Sequence, residues 1–64
     1  AMTDYIVKFW ILTKDDYFPL TKTLKGKDIC DVFNEAKQIA FSKYRDSIVE
    51  LTVQSENEVI RMEI

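Results

Sequence analysis

The stretch from Tyr5 to Leu12 is the first strongly patterned part of the chain, because β-branched and aromatic residues follow one another there without a breaker. The pattern predicts a β-strand whose core face consists of Tyr5, Val7, Phe9 and Ile11. The opposite face is also largely apolar, with Lys8 as the only charged residue among Ile6, Trp10 and Leu12. A strand that is apolar on both faces is typical of the centre of a sheet or of a surface covered by a partner.

A hairpin is predicted after this strand. The segment KDDYFP combines two acidic residues with Pro19, which indicates a turn. A second strand is expected from Leu20 to Lys25, with Leu20 and Leu24 on one face and a polar outer face.

A single amphipathic helix is predicted next. Gly26 interrupts the second strand, and Asp28 is a favourable N-cap for a helix from Ile29 to about Tyr44. At 100° per residue, one stripe about 120° wide is expected to face the core, and it contains Ile29, Val32, Phe33, Ala36, Ile39, Ala40 and Lys43. Cys30 and Phe41 lie outside this stripe, so a monomer is expected to expose them.

Two further strands complete the pattern. IVELTV is expected to point Val49, Leu51 and Val53 inward, and SENE supplies a turn before VIRMEI. The order of elements predicts an α+β fold of the type ββαββ, with one helix packed across a four-stranded antiparallel or mixed sheet. If the first strand is central, a β-grasp arrangement with the first strand parallel to the fourth is one option, and other strand orders fit equally well.

Length and composition set limits on function. A chain of 64 residues and 7.6 kDa is expected to form one domain, residues 1–64, with Ala1 as an added residue before Met2. With one cysteine and no histidine, the sequence excludes a disulfide framework within the chain, Cys/His zinc sites and His-dependent catalytic dyads or triads. We therefore expect no enzymatic activity, no metal, no cofactor and no redox role for Cys30.

The start of the chain does not fit a secretory signal, because Asp4 follows Met2 closely and Lys8 interrupts the apolar run. We expect a cytoplasmic protein that does not engage membranes. The net charge of −2 and the pI near 4.9 disfavour a nucleic-acid binder held by phosphate contacts.

The sequence also predicts more apolar surface than one small core uses. Ile6, Trp10 and Leu12 on the outer sheet face indicate a homodimer interface, which would also stabilise so small a domain. Two alternatives remain open. Lys8 and Arg61 could cover the apolar side chains, or Trp10 beside these bases could stack on a nucleotide.

The sequence TKDDYFPLTKTLKGKDICD connects the first predicted strand to the predicted helix. With this segment at its centre, the chain from Asp4 to Val53 resembles the short dimeric uracil-DNA glycosylase inhibitors of tailed phages. The features that carry the resemblance are, in chain order, Asp15 with Asp16, Lys25-Gly26, Asp31 with Phe33, and Asp46 with Ile48 and Leu51. KFW at Lys8 to Trp10 is instead similar to a small inhibitor that binds RNA polymerase, which gives an alternative function.

The glycosylase resemblance implies a host-directed inhibitor that blocks a DNA-binding groove by DNA mimicry. Such a protein places carboxylates where phosphates would lie and holds the intercalating side chain of the enzyme in an apolar pocket. By position, the resemblance implies phosphate mimicry by Asp15, Asp16, Asp28, Asp31 and Glu35. It implies a pocket wall of Val32, Phe33 and Phe41, although the helical stripe also assigns Phe33 to the core.

Overall fold

The computed structural model describes all 64 residues and contains four strands and one helix. The elements are β1 Thr3–Leu12, β2 Tyr17–Gly26, α1 Ile29–Lys43, β3 Ile48–Gln54 and β4 Val59–Glu63. The strands form one antiparallel sheet in the order β2-β1-β3-β4, which confirms the α+β prediction and makes β1 an interior strand. The β-grasp option is wrong, because β3 lies between β1 and β4 and no parallel pair occurs.

The core lies between α1 and one face of the sheet. The predicted core residues of β1, from Tyr5 to Ile11, are all at most 4% exposed, and Leu51 and Val53 of β3 are fully buried. On the helix side, Ala36 and Ala40 have no exposed surface, and their small side chains allow the helix to lie close to the sheet. Lys43 is exposed, so the prediction that it belongs to the buried stripe is wrong.

The β1–β2 turn comprises residues 13–16 and ends before Pro19. The Thr13 amide donates to the Asp16 carbonyl at 2.8 Å, and the Asp16 amide donates to Thr13 Oγ1 at 3.0 Å. β2 therefore begins at Tyr17, and Pro19 lies within it, opposite Trp10. The expectation that Pro19 belongs to the turn is wrong.

The hydrogen-bond alternation of the hairpin explains why a proline fits there. Thr13 and Asp16 form a hydrogen-bonded pair, so in the same register the even-numbered residues of β2 bond to β1 and the odd-numbered ones face the outer edge. Pro19 lacks an N–H group at a position where the group would face solvent, so the ladder loses no bond.

The helix begins and ends as the sequence predicts. Asp28 Oδ1 accepts a hydrogen bond from the Asp31 amide at 2.9 Å, as an N-cap does, and the Tyr44 amide donates to the Ala40 carbonyl at the other end. The Tyr44 ring then packs against Phe9, with 5.3 Å between the ring centroids. The two hydrogen bonds cap the helix, and the ring contact fixes its C-terminal end to the sheet.

Gly26, the last residue of β2, lies beneath the first turn of α1. A Cβ atom at this position would overlap Val32 Cγ2 and would lie 3.1 Å from Asp31 Oδ2. The absent side chain therefore permits β2 and the start of the helix to approach closely.

A β-bulge in β3 changes which residues face inward. Ile11 pairs with Ile48 and Trp10 with Glu50, so Val49 is an extra residue without a partner in β1. As a result Ile48 is buried at 4% exposure, whereas Val49 is only half-buried. The prediction that Val49 points into the core is wrong, and Ile48 takes that place.

Candidate protein-binding surfaces

The sheet face opposite α1 carries an uncovered apolar surface. We call this surface the open-face patch and define it as Ile6, Trp10, Leu12 and Tyr17. The first three come from the outward positions of β1, and Tyr17 joins them because it lies directly opposite Leu12. Ile6, Leu12 and Tyr17 are 42%, 51% and 58% exposed, and no element of the chain covers them.

An aromatic stack organises this patch. The Trp10 and Tyr17 rings lie 5.4 Å apart between centroids with 29° between their planes, and Trp10 is half-buried as a result. Tyr17 was not among the predicted interface residues, because it was assigned to the turn. The signal that could have found it is the hairpin register, since a strand starting at Tyr17 places it diagonally from Trp10.

Charged side chains lie beside the patch on the same face, and their charges balance. Arg61 Nε is 3.2 Å from Glu50 Oε1, and Arg61 Nη2 is 3.4 Å from Glu63 Oε1. Lys8 adds one positive charge, half-buried between Thr21 and Thr52 of the neighbouring strands. Arg61 is thus held by two carboxylates, and Ile6 and Leu12 remain exposed, contrary to the alternative in which bases cover the patch.

The predicted acidic residues fall into two separate groups. Asp15 and Asp16, the hairpin acids, lie in the β1–β2 turn at one end of β2. The helix acid cluster, Asp28, Asp31 and Glu35, begins beyond the opposite end of that strand. Ten residues of strand span about 30 Å, so the structure does not bring the five carboxylates into one row.

The helix acid cluster also has a structural role. Asp28 caps the helix, and Asp31 Oδ2 accepts a hydrogen bond from the Lys27 amide at 3.3 Å. Glu35 lies one turn further along the same flank and, unlike the two aspartates, makes no hydrogen bond to the backbone. All three side chains are exposed, so they remain accessible to a partner.

The implied apolar pocket is smaller than expected. Val32 is 1% exposed and belongs to the core, so its predicted role as a pocket wall is wrong. Phe33 is half-buried, and Lys37 Nζ lies 5.2 Å from the centre of its ring. Phe41 is 50% exposed and lines a shallow surface depression on α1 together with Asn34, Lys37, Gln38 and Ser42.

The Tyr5 hydroxyl is the ionisable group that the fold perturbs most clearly. Tyr5 is 4% exposed, and this burial raises the pKa of its hydroxyl above the usual value of 10.0. The nearby negative charges of Glu58 and Asp28, and then of Cys30, raise the pKa further. The β3–β4 turn and the start of α1 therefore lie close to the beginning of β1.

The raised pKa gives a prediction for alkaline stability. The fold favours neutral Tyr5, so its contribution is fully present below the unfolded pKa of about 10 and is lost as pH rises through the higher folded pKa. We expect Tyr5→Phe to reduce the loss of stability above pH 10, measured as the urea midpoint at successive pH values. An equally steep loss in the variant would show that Tyr5 does not contribute to it.

The described residues offer no metal site, since no three acidic or cysteine side chains converge. Helix α1 lacks the length and apolar character needed to cross a bilayer. Comparisons of the chain with protein-family models, curated proteins and solved structures returned no match. The resemblance to glycosylase inhibitors therefore stays a prediction from the sequence.

Proposed function

We propose that this chain is a small phage-borne inhibitor, without catalytic activity, that binds a host DNA-processing enzyme in the cytoplasm and blocks its DNA-binding groove. The observation that carries a binding function is the open-face patch, because exposed apolar clusters of this kind mark interaction sites. The sequence resemblance supplies the favoured target, uracil-DNA glycosylase.

In this proposal the open-face patch is covered by a second copy of the chain. The same face carries Lys8 and Arg61 beside Glu50 and Glu63, so its charge is balanced and can complement that of an identical face. Four strands about 4.8 Å apart present very roughly 500 Å² per copy, so two copies bury about the 1,000 Å² that a specific interface needs. Such a dimer leaves both helices on the outside.

The outward helices then provide the contacts with the enzyme. The helix acid cluster places carboxylates at helical spacing along one flank, where they would stand in for phosphates. Phe41, in the depression on the same helix, would contact the apolar side chain that a glycosylase inserts into DNA. The hairpin acids lie too far away to join this group and would meet a different part of the enzyme.

A uracil-excision assay tests the proposal. We expect the purified chain to inhibit uracil-DNA glycosylase, and we expect Asp28→Asn combined with Glu35→Gln to weaken inhibition at least tenfold. Asparagine caps helices as well as aspartate does, so this variant keeps the fold while losing two charges. Full glycosylase activity at a large excess of the chain would eliminate this target.

A matched variant locates the contact. Asp15→Asn with Asp16→Asn removes the same amount of charge from the hairpin acids, and we expect it to weaken inhibition less than the helix variant does. The opposite ranking would place the DNA-mimicking surface at the hairpin.

Direct binding of nucleic acid is the second candidate, favoured by the stack of Trp10 on Tyr17 beside Lys8. Glu50 and Glu63 on the same face oppose it, because carboxylates repel phosphates. A labelled oligonucleotide that shifts at low salt and is released by added salt would favour this candidate over the inhibitor.

A further inference from the structure

Both edges of the sheet present free backbone groups, and the two sets match in number. Beyond Pro19, the outward N–H and C=O groups of β2 belong to Thr21, Thr23 and Lys25, by the alternation described above. On β4, the Ile64 amide donates to the Val49 carbonyl at 2.9 Å, so in that register the even-numbered residues bond to β3. The outward groups there belong to Val59, Arg61 and Glu63, which also gives three residues.

The strand directions allow these edges to pair. Each neighbouring pair in the order β2-β1-β3-β4 is antiparallel, so β4 runs in the direction opposite to β2. A second copy, displaced sideways in the same orientation, therefore presents its β2 antiparallel to β4 of the first copy. The sheet continues without a change of pattern, and the helices of both copies stay on one face.

One register pairs the outward backbone groups of Thr21, Thr23 and Lys25 with the three outward residues of β4 and also covers exposed apolar side chains. It sets Thr21 opposite Glu63 of the next copy and Lys25 opposite Val59. On the helix face, the same register sets Leu20 opposite Ile64 and Leu24 opposite Ile60. Leu20 and Ile64 are 38% and 46% exposed in the single chain, so their contact would bury surface that the chain alone leaves open.

The charges of the two edges are complementary. From Pro19 to Lys27 the chain carries three lysines and no acidic residue, whereas from Ser55 to Ile64 it carries three glutamates and one arginine. That arginine, Arg61, is already engaged by Glu50 and Glu63, and Lys25 Nζ of β2 lies 3.8 Å from Asp4 Oδ1. Pairing β2 with a second β2 would bring two lysine-bearing edges together. The mixed pair avoids this repulsion.

We propose that copies of this chain associate edge to edge, with β4 of one copy pairing antiparallel with β2 of the next. The contact is heterologous, so it leaves one free β2 edge and one free β4 edge on every assembly and does not close by itself. The product is a continuous antiparallel sheet that grows with concentration and shortens as salt screens the charges. This contact is separate from the open-face patch.

Proline substitutions at outward positions test the inference. Thr23→Pro removes an outward N–H from β2, and Arg61→Pro removes one from β4; neither removes a ladder bond, as Pro19 already illustrates. Thr23→Val and Arg61→Gln are the matched controls, because both keep the amide. All variants carry Trp10→Glu, so that association through the open face does not add to the measured mass.

Sedimentation velocity is the measurement, with circular dichroism to verify folding. We expect the Trp10→Glu parent and both controls to show a mass that rises with concentration without a limit, and each proline variant to remain a single chain. Mixing the two proline variants should give a complex of two chains and nothing larger, since each supplies one intact edge. The inference is overturned if the parent keeps one size at all concentrations, if Thr23→Pro assembles like Thr23→Val, or if the folded mixture stays monomeric.

Discussion

Phe9→Ala is expected to leave the chain largely unfolded at room temperature. Phe9 is 1% exposed at the centre of β1 and packs against the Tyr44 ring that follows the helix. Truncating such a side chain costs about 3–5 kcal/mol, and the single core of a domain this small rarely supplies more than about 3–5 kcal/mol of stability. Urea unfolding followed by circular dichroism would show the loss as a midpoint near zero.

Phe9→Leu is the control for this prediction. Leucine keeps most of the buried volume, so we expect a folded chain with a loss of about 1–2 kcal/mol. A loss below about 1 kcal/mol for Phe9→Ala would contradict the central place of this residue in the core.

Trp10→Glu is expected to halve the mass of the protein in solution without unfolding it. Trp10 follows Phe9 in the sequence and therefore lies on the opposite face of the sheet. Its ring stacks on Tyr17 at the centre of the open-face patch. A carboxylate in a face-to-face interface would be buried without a partner, at a cost that such an interface does not withstand. With Thr23→Pro present in every protein to prevent edge-to-edge pairing, light scattering at micromolar concentration would report the change from two chains to one.

Phe41→Glu separates the two possible dimer surfaces. This side chain is also half exposed but lies on α1, away from the sheet. In the same Thr23→Pro background, we expect the variant to keep the mass of two chains. A monomeric Phe41→Glu together with a dimeric Trp10→Glu would move the dimer interface to the helix.

Local patterns predicted the parts of this fold that are determined locally. The period of two in β1 and the helical stripe of α1 identify the core residues, and Asp28 marks the helix start, because each depends on side chains near in sequence. Pro19 and Val49 were assigned wrongly because their positions depend on pairing. A proline fits a strand when its nitrogen faces the edge, and an extra residue fits when the partner strand is one residue shorter there.

The candidate surfaces were predictable to a smaller extent. The resemblance implied a pocket wall that includes Val32, whereas the helical stripe predicted Val32 in the core, and the structure agrees with the stripe. Similarly, the hairpin acids and the helix acid cluster are near in sequence, yet an extended strand lies between them. Tyr17 is a surface residue that the sequence prediction missed. It was assigned to the turn, but it lies at the start of β2, where its ring stacks on Trp10 of β1.

The bare Cα of Gly26 sets the gap between sheet and helix at the point where the chain leaves β2. The side chain of any larger residue there would overlap Val32 and displace the first turn of α1 from the sheet. The carboxylates of Asp28 and Asp31 would move with that turn. The position of the acidic surface on α1 thus depends on a residue that has no side chain of its own.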